Sequence, residues 1–136
     1  MSYAIAGALQ AAIFDALIQD SALGTLIGSN IYDAVPTGNL PEAYVSLGSE
    51  QVRDASDQTG DGAVHTVDIS IITSQPGYAG AKAIAAAVSD ALQDADLSLA
   101  RGRLVSLRFQ RAQARRIDKA AGREIRMRFR ARVEDQ

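Results

Sequence analysis

The chain contains no cysteine, which excludes a disulfide framework and thiolate chemistry. It contains a single histidine, His65, so neither a Cys–His nor a His–His dyad can be assembled. No glycine-rich phosphate loop follows a strand pattern, and the carboxylates are scattered through loops rather than paired. Aromatic residues make up 5% of the chain, little for a surface that stacks on bases. No apolar run approaches the roughly 20 residues that a membrane-spanning helix needs. The opening Met1-Ser2-Tyr3-Ala4 lacks the basic start of a signal peptide. These absences predict a soluble, non-enzymatic protein made in a cytoplasm, with no cofactor, no metal and no membrane partner.

What the chain does have is enough apolar material for a core. Hydrophobic residues make up 47% of 136 positions, which suits one domain spanning residues 1–136 rather than a disordered tail. The net charge of −2 hides an asymmetry. Residues 1–100 carry 12 acidic side chains against Arg53 and Lys82, a net of −10. Residues 101–136 carry 12 basic and four acidic side chains, a net of +8. Such a split fits an acidic surface meeting a basic one, within or between subunits, cross-strand pairing inside one sheet, or a nucleic-acid patch.

The basic third holds the clearest pattern. From Glu124 to Val133, apolar Ile125, Met127, Phe129, Ala131 and Val133 alternate with Arg126, Arg128, Arg130 and Arg132. Period-2 alternation over this length predicts a half-buried strand with one apolar and one guanidinium face. A shorter strand is predicted over Arg103–Phe109.

Upstream, residues 3–19 space Ile5, Leu9, Ile13 and Leu17 by four, as an amphipathic helix does. Asp20-Ser21 offers an N-cap for a short helix over Ala22–Ile27, which Gly28 ends. Short strands are predicted at Asn30–Val35, within Glu42–Arg53 and over Val64–Ser74, the last with His65, Val67, Ile69 and Ile71 on one face. The polar stretch Asp54–Gly62 reads as a mobile projecting loop. Alanine-rich Tyr78–Ala95 reads as a helix with Ile84, Val88, Ala91, Leu92 and Ala95 on one face. The sum is an α+β fold: a mostly antiparallel sheet of four to five strands with two main helices on one face.

Two constellations remain. Asp57-Gln58-Thr59-Gly60-Asp61-Gly62 has the outline of a calcium loop, with Asp68 at the twelfth position. Thr59 stands where Asp or Asn is expected, Asp68 is shorter than Glu, and the flanks read as strands, so a plain polar loop is the better reading. The arginine ladder has three possible destinations: water, DNA phosphates, or carboxylates of the same sheet or of an adjacent subunit. The acidic excess upstream favours carboxylates, with Glu50, Asp54 and Asp68 as neighbours in the sheet. Arg126, Arg128, Arg130 and Arg132, together with the loop acids Asp54, Asp57 and Asp61, are therefore the candidate interface or bore residues.

Several short stretches taken together, Ile31–Pro36, Tyr44–Gly48, Gln51–Asp54, Ala81–Ala85 and Arg103–Phe109, resemble the tail-terminator or tail-completion proteins of long-tailed phages and phage-like gene transfer agents. The resemblance implies a virion protein at the tail–head junction, present in the host cytoplasm during assembly, with no enzymatic activity. It implies a hexameric ring that caps the tail tube, stops its polymerisation and joins it to a head-side connector or stopper. DNA would pass through the bore without sequence recognition. A head-completion or stopper protein of the same neck and a sequence-independent DNA-binding module are the alternative readings.

Overall fold

Helix α1, Ala6–Gln19, follows a 3-10 turn at Tyr3–Ile5 and exists because its four-residue spacing gives it a stripe to bury. Ile5, Leu9, Ile13 and Leu17, the predicted stripe, are all buried. Helix α2, Ser21–Ile27, is capped by Asp20, whose carboxylate accepts from the Leu23 amide at 2.9 Å. Gly28 then takes a φ of 62°, which glycine adopts without strain. Strand β1 is only Ile31–Tyr32, shorter than the predicted strand, because the turn-rich residues from 33 onward leave the sheet.

The computed structural model describes residues 3–56, 61–117 and 122–135. Strands β2 (Ala43–Asp54) and β3 (Asp61–Thr73) follow, then helix α3 (Ala79–Leu92), β4 (Arg103–Arg116) and β5 (Arg123–Asp135). The sheet order is β1-β2-β3-β5-β4, with β1 parallel to β2 and every other pair antiparallel. This is the expected α+β arrangement.

One face of the sheet, the front, meets α1 and α3. Val45, Ala63, Ile69, Ile71, Leu107 and the five apolar residues of β5 join the helix stripes, including Ile84, Val88 and Leu92, in a single core cluster. None of the sheet residues in that cluster comes from the other face, and among the described residues no helix lies there.

Three further boundaries differ from the sequence reading. The predicted loop at Asp54–Gly62 is narrower: Asp54 belongs to β2, Asp61 and Gly62 to β3, and the Ala55 amide donates to the Gly62 carbonyl at 2.8 Å. Residues 57–60 of that loop lie outside the described residues. Helix α3 stops at Leu92, short of Ala95, where Gln93 turns extended and Asp94 takes a φ of 56°. Strand β4 runs seven residues past Phe109, and this extension has no hydrophobic alternation to announce it. Pairing with β5 holds it in place.

Candidate functional site

The back of the sheet is the candidate site, and register decides what each arginine meets. Residues directly opposite in antiparallel strands share a face. Arg128 lies between Asp68 of β3 and Arg111 of β4. Arg130 lies between Thr66 and Arg108, Arg126 between Ser70 and Gln113, and Arg132 between Val64 and Ser106. The ladder is thus one column of a basic surface to which β4 adds a second.

Only part of this charge is balanced within the sheet. Arg128 donates from Nε to Asp68 Oδ1 at 2.9 Å, and Ser49 donates its hydroxyl to Asp68 Oδ2 at 3.0 Å. Asp68 is 6% exposed. Burial alone would raise its pKa, but the bonds from Arg128 and Ser49 outweigh that and hold the carboxyl below its ordinary value. The same bond pushes the Arg128 guanidinium up.

Glu124 forms the second anchor. It is 6% exposed and accepts from Arg115 Nε at 2.8 Å, with Arg126 Nη2 at 3.5 Å from its other oxygen. Burial, then the charge of Glu124, raises the pKa of nearby Tyr44. Arg132 donates to the carbonyl of Ala55 at 3.2 Å.

The rest is unbalanced. Among the described residues neither Arg130 nor Arg111 has a carboxylate partner, and Arg108 reaches Asp94 only at 3.6 Å with both side chains largely exposed. Arg130 and Arg108 stand directly opposite each other, an arrangement that is unfavourable without an anion nearby. Beside them Gln51, Arg53, Thr66, Gln110, Arg128 and Arg130 border an open depression of about 350 Å³.

The predicted neighbours of the ladder divide accordingly. Asp68 pairs with it as expected. Glu50 does not: it lies on the front face, where its Oε2 is 2.9 Å from Nδ1 of the fully buried His65. A register break between Leu47 and Glu50, invisible in the sequence, sets which way its side chain turns. Asp54 accepts from the Ser56 hydroxyl at 2.6 Å, which holds its carboxyl below the ordinary value. Asp61 opens β3 opposite Asp135, and Asp57 lies outside the described residues.

Asp68, the twelfth position of the supposed calcium loop, is engaged by Arg128 and Ser49 inside the sheet. Sequence reasoning missed Glu124, Arg111 and Arg108 as members of this face. The alternation of β5 already placed Glu124 on the arginine side, Arg108 lies within the predicted strand Arg103–Phe109, and only Arg111 was hidden by the length of β4.

The surface thus carries more guanidinium charge than the carboxylates of the sheet balance among the described residues. Among curated proteins none matches this chain. A chain in the solved structure "Virion of native gene transfer agent (GTA) particle" is 62% identical, covers 98% of this chain and 99% of its own length, and superposes with a TM-score of 0.93. Residues 11–134 match the family described as tail completion protein gp17. With that match spanning nearly the whole sequence, the chain belongs to the tail completion protein gp17 family, a family of structural virion proteins rather than enzymes.

Proposed function

We propose that this protein is a tail terminator. Copies of it form a ring, six in number by the family likeness, that caps the tail tube and links it to the head-side connector while DNA passes through the bore. The observation that carries the reading is the 62% identity, over nearly the full length of both chains, to a component of a gene transfer agent virion. The charge distribution supports it, because a ring subunit needs unlike lateral surfaces that complement each other. Imaging of assembled particles tests it. The expected result is a closed ring of this chain at the tail–head junction, and a monomer or a two-fold dimer at that position overturns it.

Within the ring, Arg130 with Arg108 is assigned to carboxylates of a neighbouring protein. Arg128 already has its own in Asp68. Replacing Arg130 by glutamine is expected to impair neck assembly while leaving the isolated chain folded. Normal assembly with altered DNA retention or ejection would instead place DNA against this face.

A further inference from the structure

Resting on the ring reading above, we infer that neighbouring copies join by strand addition. The outer edge of β4 from Gln110 to Arg116 on one copy pairs with the outer edge of β2 from Glu50 to Asp54 on the next. An uncovered strand edge is a row of unpaired amides and carbonyls that templates pairing with another chain.

Among the described residues no strand pairs with either edge over these stretches. The connection after α3 covers the start of β4: the Asp94 amide donates to the Leu107 carbonyl at 2.9 Å, and the Phe109 amide donates to Gln93 Oε1 at 2.8 Å. Cover then stops, and from Phe109 to Arg116 every residue is exposed. At the far edge β1 pairs with β2 only at Val45 and Ser46. Among the described residues no strand pairs with the outer side of β2 beyond the register break at Leu47/Glu50.

Charge disfavours pairing the β4 edge with itself. The free part of β4 carries Arg111, Arg115 and Arg116 and no acid. Pairing β4 with β4 of a second copy would set these cations against one another, which disfavours a two-fold dimer. The β2 edge carries Glu50 and Asp54, and nearer the β1 end of that strand Asp15 and Asp33 border a depression of about 390 Å³ lined also by Phe14 and Leu47. Neither Asp15 nor Asp33 has a cation partner among the described residues. Arg53 is the one cation within Glu50–Asp54.

Topology agrees. β4 runs opposite to β2 within one subunit, because three antiparallel steps separate them. Continuing the sheet with the same face inward therefore makes the new pair antiparallel as well. Because each copy gives one edge and receives another, the contact is heterologous and closes into a ring at the right rotation.

The alternation of the ladder identifies a test residue. Leu107 and Phe109 point their backbone groups outward. The extra residue at the Phe109/Arg111 break shifts that set to Ala112, Ala114 and Arg116. Ala114→Pro then removes an outward N–H and keeps the bonds to β5, a position where an edge strand accepts proline. The expected result is a chain with the wild-type circular dichroism spectrum whose incorporation into particles drops about tenfold, the effect of one lost bond per interface.

Hydrogen exchange on the unmodified protein gives an independent reading. The amides of Ala112, Ala114 and Arg116 exchange fast in the free chain and become protected in particles. Wild-type incorporation of Ala114→Pro, or exchange in particles as fast as in the free chain, overturns the strand-addition contact while a ring seen by imaging would stand. Protection caused by a tail-tube strand on this edge overturns it too. Absence of any ring in wild-type particles would instead defeat the underlying function.

Discussion

Strands β4 and β5 are partners along nearly their whole length, yet they occupy opposite environments. β5 lies between β3 and β4 beneath the helices, and Ile125, Met127, Phe129, Ala131 and Val133 are all buried. β4 is the edge, and past the fully buried Leu107 it is exposed on both faces. Backbone pairing is thus enough to make a strand but not to bury it. Burial needs a neighbour on each side and a cover above. Where β4 lacks these, it stays exposed.

The pair Phe109 and Phe129 offers the sharpest way to test that difference. The two rings stand opposite in register and meet edge to face at 5.9 Å. Phe129 is fully buried and Phe109 is 42% exposed. Phe129→Ala is expected to cost about 3–5 kcal/mol of stability through lost burial and a cavity. Phe109→Ala gives up the edge contact and partial burial, about 1 kcal/mol. Denaturant unfolding of both variants measures the gap, and equal losses would mean that the free half of β4 is covered in the isolated chain.

A second contrast lies within the ladder. Asp68→Asn leaves Arg128 without its counter-ion at a partly desolvated site, at a cost of about 1–3 kcal/mol. The folded-state pKa of Asp68 is lowered, so its contribution is fully present above the ordinary aspartate value of about 3.9 and is lost as pH falls through the folded value. Thermal melts of the variant should therefore lose less stability than wild type on acidification below about pH 4. A parallel fall in both would show that Asp68 does not carry the acid sensitivity.

The smallest effect on folding belongs to Arg130. With no carboxylate partner among the described residues, Arg130→Gln should stay within about 0.5 kcal/mol of wild type. Arg128→Gln should resemble the loss of Asp68. Melting temperatures that rank Arg130 with Arg128 would mean that the unpaired column stabilises the monomer, removing the reason to assign it to a partner.

Much of this was written into the chain. The four-residue spacing of Ile5, Leu9, Ile13 and Leu17 fixed a helix and its buried side, since only one face of a helix can meet a sheet. The alternation from Ile125 to Val133 fixed both the strand and the side its arginines take, because successive side chains point to opposite faces. Local pattern is sufficient when one face of an element must be dry.

The tertiary structure decided what local pattern cannot carry. Asp68 and Arg128 are 60 residues apart, and only the β3–β5 register makes them partners. Glu50 turns to His65 because an irregularity after Leu47 sets its face. The second half of β4 has no dry face, so its alternation carries no signal, and its strand state comes from β5 alone. Its freedom comes from position, since it is the last strand in the order and the connection from α3 stops covering it at Phe109.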